Sequence, residues 1–257
     1  MSTRLWDRAA LVPASDGERR PEIVSLDSET PSLSELFTFM RDAELRWSTL
    51  RMKVEERTFG ARGEQVVTMD VAVRHPRHAR VVTSEAGEGL AKAGSELWLS
   101  DGETVWTFST THQLGTKRPV RNRPRGLGDL PGTARVYEPR TPLPMETLPE
   151  LFVHPAGYCQ NVLATGACAI TGTDRVAGRE AIVVESLHPR AIERVADRPD
   201  FRIEIAVDRL DGVILRLVES IGDEATRIAE VTAYQPDAPL PAAMFDFEFP
   251  EGAAILY

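Results

Sequence analysis

Large apolar side chains recur at every second position in segment after segment of this chain, and that period constrains its fold more than any other feature. Leu50, Met52 and Val54 alternate with charged residues. Val67, Met69, Val71 and Val73 alternate with Thr68, Asp70 and Ala72, and Phe201, Ile203, Ile205 and Val207 alternate with Arg202, Glu204, Ala206 and Asp208. Successive side chains of a strand point to opposite faces, so this spacing predicts strands that bury one face. Further strands are expected at Arg80-Val81-Val82-Thr83, at Ala167 to Asp174, at Glu180 to Ser186 beyond a turn at Val176 to Arg179, and from about Arg227 to Tyr234. Roughly ten antiparallel strands in one sheet must curl, because twist accumulates from strand to strand.

The sharpest local expectation is the hairpin Leu97-Trp98-Leu99-Ser100-Asp101-Gly102-Glu103-Thr104-Val105-Trp106-Thr107-Phe108. Asp-Gly suits a two-residue type I′ turn, whose central positions need positive φ. With Asp101 and Gly102 as the loop, Ser100 pairs with Glu103, Leu99 with Thr104, Trp98 with Val105 and Leu97 with Trp106. Leu97, Leu99, Trp106 and Phe108 then share an apolar face, opposite Trp98 and Val105. Such a face is either ordinary sheet core or the lining of a hydrophobic cavity. Parity also decides the hairpin after Val207. A five-residue loop from Asp208 to Gly212 opposes Val207 to Val213, Ile205 to Leu215 and Ile203 to Leu217, whereas a two-residue loop opposes Val207 to Arg216.

One segment has the helical period instead. Leu33, Leu36, Phe37, Met40 and Ala43 fall on one stripe behind Ser32, an N-cap with Glu35 three residues on, which predicts an amphipathic helix to about Arg46. Residues 1–29 carry mixed charges without sustained period and read as a tail or surface arm; residues 30–257 read as a single domain. Pro119, Pro124, Pro131, Pro139, Pro142, Pro144 and Pro149 make about 115–150 a long insertion with at most short helices, one near Met145 to Phe152. Its basic residues Lys117, Arg118, Arg121, Arg123 and Arg125 suit an anionic headgroup or partner, or simply a solvated loop.

A net charge of −9 and a pI near 5.2 argue against nucleic-acid binding, which needs a basic face. No apolar run approaches the roughly 20 residues that span a bilayer, so no stable membrane insertion is expected. The first residues lack the apolar core of a secretory signal, and the chain as written reads as cytoplasmic. Cys159 and Cys168 are the candidates for a disulfide closing a short loop, with two free thiols as the alternative in a reducing compartment. The histidines sit in no catalytic frame: His75 and His78 flank a proline, and no Cys or carboxylate completes a zinc spacing. Gly87 to Gly94 is glycine-rich without a βαβ context and reads as a hairpin loop. No catalytic residue, metal ligand or cofactor is expected.

Four stretches carry a resemblance: the helix that feeds the meander, the Asp101-Gly102 hairpin, the strand Ile205 to Asp208 leading to Gly212-Val213-Ile214-Leu215-Arg216, and the closing Leu240-Pro241-Ala242-Ala243-Met244-Phe245-Asp246-Phe247. Over about residues 33–252 the chain resembles the LolA-like group, which includes the lipoprotein carrier LolA and the N-terminal domain of the sigma-E regulator RseB. The resemblance implies a mainly β (α+β) fold: a half-closed, strongly curved antiparallel sheet of about ten to eleven strands, with short helices capping the concave face. It implies an apolar interior that receives acyl chains, with the Leu33–Arg46 helix as part of the lid and one face of the Asp-Gly hairpin on the cavity wall. Leu36, Phe37, Met40, Met52, Val71, Leu97, Leu99, Trp106, Phe108, Ile203 and Ile205 are then the expected ligand-binding residues. Each buried methylene contributes about 0.8 kcal/mol, so one acyl chain needs no charged anchor. The chain departs from the group in its long Lys117–Pro149 segment. It also has no arginine matched to a lid-locking residue, although Arg41 and Arg46 lie on the corresponding helix.

The expected function is a non-enzymatic binding or carrier protein holding a lipid, a lipoprotein acyl chain or another apolar ligand. Two alternatives stay open. One is a regulatory module of RseB type that binds a protein partner through sheet edges or the basic loop; the other is a cytoplasmic small-molecule enzyme using the same cavity. Family biology would place the carrier outside the cytoplasm.

Overall fold

The computed structural model describes residues 23–26, 29–61, 63–85, 94–120, 139–189 and 198–256. The glycine-rich loop, the basic residues Arg121, Arg123 and Arg125, and most of the N-terminal arm lie outside them. Two antiparallel meanders follow the period-two segments. The first is β1 (Thr49–Gly60), β2 (Gly63–Arg74), β3 (His78–Glu85), β4 (Ser95–Asp101), β5 (Thr104–Ser109) and β6 (Leu114–Pro119). The second is β7 (Ala167–Val176), β8 (Arg179–Leu187), β9 (Phe201–Asp208), β10 (Ile214–Ile221) and β11 (Glu224–Pro236). Pairing of β11 with β1 joins them, and β12 (Ala254–Leu256) adds to β6 in parallel, giving one twelve-stranded open sheet with β12 and β7 at its edges. The parallel twelfth strand is an addition to the ten or eleven antiparallel ones expected.

The sheet is strongly rolled. β7 lies four strands from β11 in the sheet order, which is about 19 Å on a flat sheet, yet their Cα atoms approach within 8 Å. Into this roll point Ile182 and Val184 of β8, Ile203, Ile205 and Val207 of β9, Leu217 of β10, and Ala229 and Val231 of β11, all buried. The same face continues through Leu50, Met52 and Val54 of β1, Met69, Val71 and Val73 of β2, and Ala79 and Val81 of β3.

Short helices cover this inner face. In α1 (Leu33–Arg41) the capping box forms as expected, with Ser32 Oγ accepting from the Glu35 N–H and Glu35 Oε2 accepting from the Ser32 N–H at 2.7 Å. The α-helix ends at Arg41, short of the expected Arg46, and a single 3-10 turn, Ala43–Leu45, carries the chain on. α2 (Leu148–Val153) stands where a short helix is expected, and α3 (Ala156–Asn161) follows it.

Two hairpins differ from their expected register. Ser100 pairs with Val105, Leu99 with Trp106 and Leu97 with Phe108, so the loop holds four residues, not two. Asp101 is the reason: its carboxylate Oδ1 accepts the N–H groups of Glu103 and Thr104 at 2.8 and 2.7 Å, replacing a type I′ turn by a wider Asx turn in which only Gly102 has positive φ. The shift of two residues preserves parity and puts apolar residues directly opposite one another. After Val207 the loop is one residue longer than the expected five: Val207 faces Ile214, not Val213, leaving Asp208 to Val213 between them with the Asp208 N–H donating to the Val213 carbonyl, and a bulge at Leu215 then sets Ile205 opposite Leu217.

The face holding Leu97, Leu99, Trp106 and Phe108 is not the inner one. Val81 pairs with Trp98, so Trp98 extends the inner face and Leu99 points outward. What covers the outer stripe is the C-terminal segment. After β11 it crosses the outer side to reach β6, with the 3-10 turn Ala242–Phe245 lying on β3 and β4 and with Phe247 and Phe249 set against Phe108.

A buried polar cluster fixes the chain that leads into α2. Glu44 accepts the Arg140 N–H at 3.0 Å, and Thr141 Oγ1 accepts the Arg77 N–H and bonds His75 Nδ1 at 2.7 Å, while Trp47 stacks on the His75 ring. Burial, the Arg140 charge and His154 push His75 down to about 3. The unfolded chain binds a proton near pH 6.5 that the folded chain refuses until about pH 3, so this group lowers stability as pH falls between those values. We expect His75→Phe to flatten the fall in unfolding free energy between pH 7 and 5 by about 1 kcal/mol per pH unit, measured by urea titration across pH. Separately, Ser32→Ala removes the α1 cap and should cost about 1 kcal/mol in the same assay at pH 7.

Candidate functional site

The structure brings seven of the expected ligand-binding residues together. Leu36, Phe37 and Met40 of α1, Met52 of β1, Val71 of β2, and Ile203 and Ile205 of β9 belong to one apolar cluster, each at most 1% exposed. It does not bring in Leu97, Leu99, Trp106 and Phe108, which lie on the outer face under the C-terminal segment. The inner face is filled by side chains from its cover. Besides the α1 stripe these include Phe39, Phe152 of α2 and Cys159 of α3, none of which was singled out from the sequence as part of the site. Phe39 lies off the helical stripe and packs onto Gly212, where a Cβ would stand 3.1 Å from its ring; Gly212 also has φ +76°, so the β9–β10 loop and α1 fit each other only through glycine.

Arg46 ties this cover down. Its guanidinium stacks 3.9 Å over the Phe39 ring and donates to three backbone carbonyls: Phe39 at 2.9 Å, Asp211 in the β9–β10 loop at 3.4 Å, and Val24 of the arm at 2.5 Å. Burial pushes its pKa down to about 10, with Asp42 and Asp211 acting the other way, so it stays charged at neutral pH. The sequence placed Arg46 next to the helix; only the fold shows that it reaches three segments.

The two cysteines are free and not disulfide-bonded. Cys159 Sγ lies 3.8 Å from Met40 Sδ, turned to α1 as a packing group. Burial raises both thiols, Cys168 to about 11, so both remain protonated at neutral pH.

At one rim of the roll the apolar face gives way to polar residues. A cleft of about 330 Å³ opens there between α2, α3 and β11, lined by Leu148, Leu151, Val162, Tyr158, Glu150 and Arg227 among others. Behind it Arg227 Nε donates to Glu56 at 2.7 Å, and its Nη1 lies 3.5 Å from Glu219. Burial opposes the Arg227 charge, but Glu56 and Glu219 outweigh it and raise the pKa. The Tyr158 hydroxyl is buried with no hydrogen-bond partner among the described residues, and burial raises its pKa. Burial also raises Glu150. His154 lines the cleft, yet its Nε2 lies 3.0 Å from the Thr141 carbonyl and its Nδ1 3.6 Å from Glu44, so the ring serves the buried cluster. Among the described residues no three His, Cys, Asp or Glu side chains gather as a metal site, and no helix is long and apolar enough to cross a membrane. The inner apolar face is thus closed by the helices, and the cleft beside Tyr158 and Arg227 opens at its polar rim.

No protein-family model matches the sequence, and no characterised protein matches it in sequence. Solved structures are similar in fold. An uncharacterised conserved protein from Thermus thermophilus aligns over 86% of this chain and 96% of its own, at 11% identity and a TM-score of 0.47. MucB in the Pseudomonas aeruginosa MucA/MucB complex aligns over 83% of this chain at 12% identity and a TM-score of 0.44; the chain spans 60% of that protein's length. A LolA superfamily protein from Nitrosomonas europaea aligns over 85% of this chain and 99% of its own, at 10% identity and a TM-score of 0.32. The open sheet with short helices on one face, expected from the LolA-like resemblance, is the architecture of this chain.

Proposed function

We propose that the protein is a binding or carrier protein for an apolar ligand, a lipid or lipoprotein acyl chain, which takes the place of the helical cover on the inner face of the rolled sheet. The observation that carries this reading is the nature of that cover. A continuous apolar face is closed by short helices rather than by a second sheet, and α2 and α3 have six residues each and no side-chain N-cap. Helices so short are held by packing alone. Replacing their apolar side chains by an acyl chain exchanges one apolar contact for another, each methylene contributing about 0.8 kcal/mol. The opposing terms are then polar: the three carbonyl contacts of Arg46 at α1 and, beside α2, the cluster of Glu44, Arg140, Thr141 and His154. The cleft beside Tyr158 and Arg227 parts α2 and α3 from β11 and gives a polar ligand end a place at the rim.

The test is a titration with a fluorescent fatty acid, backed by native mass spectrometry of the gently purified protein for co-purifying lipid. Arg46→Ala should tighten fatty-acid binding by about tenfold, since hydrogen bonds from a charged donor contribute roughly 1.5–3 kcal/mol, while lowering the melting temperature. Trp106→Ser, on the outer face, should leave the affinity unchanged. Absence of binding by both the unsubstituted chain and a folded Arg46→Ala variant would sink the reading.

A further inference from the structure

The outer face of the first meander carries a second apolar feature that the inner-face reading does not use. Leu97, Leu99, Trp106 and Phe108 form a stripe on β4 and β5, and by strand register Arg51, Lys53, Arg57, Arg74, Arg80 and Lys117 share that face with Glu55, Glu64, Asp70 and Asp101. Across it lies a strap that repeats an alternating pattern, Phe245-Asp246-Phe247-Glu248-Phe249, followed by Pro250 and Glu251. The phenylalanines face the sheet and the acids face solvent. Phe245 is 2% exposed, edge-on to His78 with its ring 4.7 Å below the Arg74 guanidinium. Phe247 and Phe249 stack edge to face, with centroids 5.1 Å apart, and both meet Phe108.

The seat is shaped for this occupant. A methyl group at Gly115 would collide with the Phe249 ring, so the glycine is the notch that ring occupies. Downstream, Ala254–Leu256 adds to the free edge of β6 as the only parallel strand of the described sheet, with the Ala254 N–H donating to the Gln113 carbonyl at 2.9 Å. Between these two anchors the backbone hydrogen bonds of the strap close on itself, Asp246 to Ala243 and Ala253 to Pro250. Aromatic side chains in a shaped face and a few residues of strand addition are how sheets take up extended peptides. The linker before the strap, Pro239-Leu240-Pro241, lies outside any strand.

We propose that the outer face of β3–β6, with the free edge of β6, is a docking groove for an extended acidic segment of another protein bearing aromatic residues at alternate positions. The chain's own C-terminal strap is the resident occupant that such a segment displaces. The chemistry of the partner follows from the strap itself: aromatic groups two residues apart for the stripe and the Gly115 notch, and acidic residues between them that stay in water, as Asp246 and Glu248 do.

A labelled synthetic peptide of residues 242–256 is the probe, read by fluorescence anisotropy against the full-length chain. The receiver is the full chain with Phe247→Ser and Phe249→Ser, which keeps Phe245 as anchor but empties the rest of the groove. The peptide should bind this variant at least about tenfold more tightly than the unsubstituted chain, whose tethered strap competes at a high effective concentration. Adding Gly115→Val should abolish binding. Hydrogen exchange on the unsubstituted chain gives an independent reading: saturating peptide should remove protection from the amides of Ala254 and Leu256, the two that the parallel pairing turns to β6. The proposal is overturned if a peptide with its phenylalanines replaced by serine binds equally well, or if a folded receiver binds no peptide. It is likewise overturned if Phe247→Ser and Phe249→Ser unfold the chain and excess peptide leaves exchange at Ala254 and Leu256 unchanged. A dimer with exchanged straps in place of a one-to-one peptide complex, seen by native mass spectrometry, would assign the groove to a second copy instead.

Discussion

Everything else in the molecule hangs on the pairing of β1 with both β2 and β11. A chain of two separate meanders would make two small sheets, each with an apolar face too narrow to close. β1 runs the length of both neighbours, so Leu50, Met52 and Val54 carry one face without a break from β3 round to β8. The bulge at Lys53/Val54 absorbs the difference in register between its two partners. The same strand also places both covers. The α1 connection enters β1 directly, and the strap starts beside it, with the Asp237 N–H bonded to the Thr49 carbonyl at 2.7 Å and Thr49 Oγ1 bonded to the Ala238 carbonyl.

The two faces are closed in different ways. Inside, the cover is helical, joined to the sheet by a broad apolar cluster and pinned through the Arg46 guanidinium at α1 and through the cluster of Glu44, Thr141 and His154 beside α2. Outside, the cover is extended, joined by three phenylalanines and three residues of strand. An amphipathic sheet with one polar face would need only the first. The first meander needs both because β4 and β5 are apolar on each side: Trp98 and Val105 point in, Leu99 and Phe108 point out.

Period-two alternation made the strands and their two faces legible, and the Ser32–Glu35 pair made the start of α1 legible, because these are local signals. The grouping of Leu97, Leu99, Trp106 and Phe108 survived a shift of two residues in register, since parity is unchanged by an even slip. What parity cannot say is which face looks inward. That depends on β3, where Val81 sits opposite Trp98, and on a strap more than a hundred residues downstream. The alternating Phe245-Asp246-Phe247-Glu248-Phe249 was the available signal: an aromatic face with no strand partner of its own has to lie against some other apolar stripe.

Seven residues of the inner face were legible for the same reason, and the contacts that pin its cover were not. Met52, Val71, Ile203 and Ile205 were found by alternation, and Leu36, Phe37 and Met40 by helical spacing. Phe39 and Arg46 fall outside both periods, because each acts across a gap in sequence that no local pattern spans: Phe39 onto Gly212, Arg46 onto Asp211 and Val24. Those off-pattern residues are the ones that set how firmly the cover is held. The residues that fit the period build the apolar face, and those that break it make the polar and close-packed contacts that hold the cover on it. In the proposed binding function, a ligand's chain replaces the first kind of contact and not the second, which puts control of opening on the off-pattern residues.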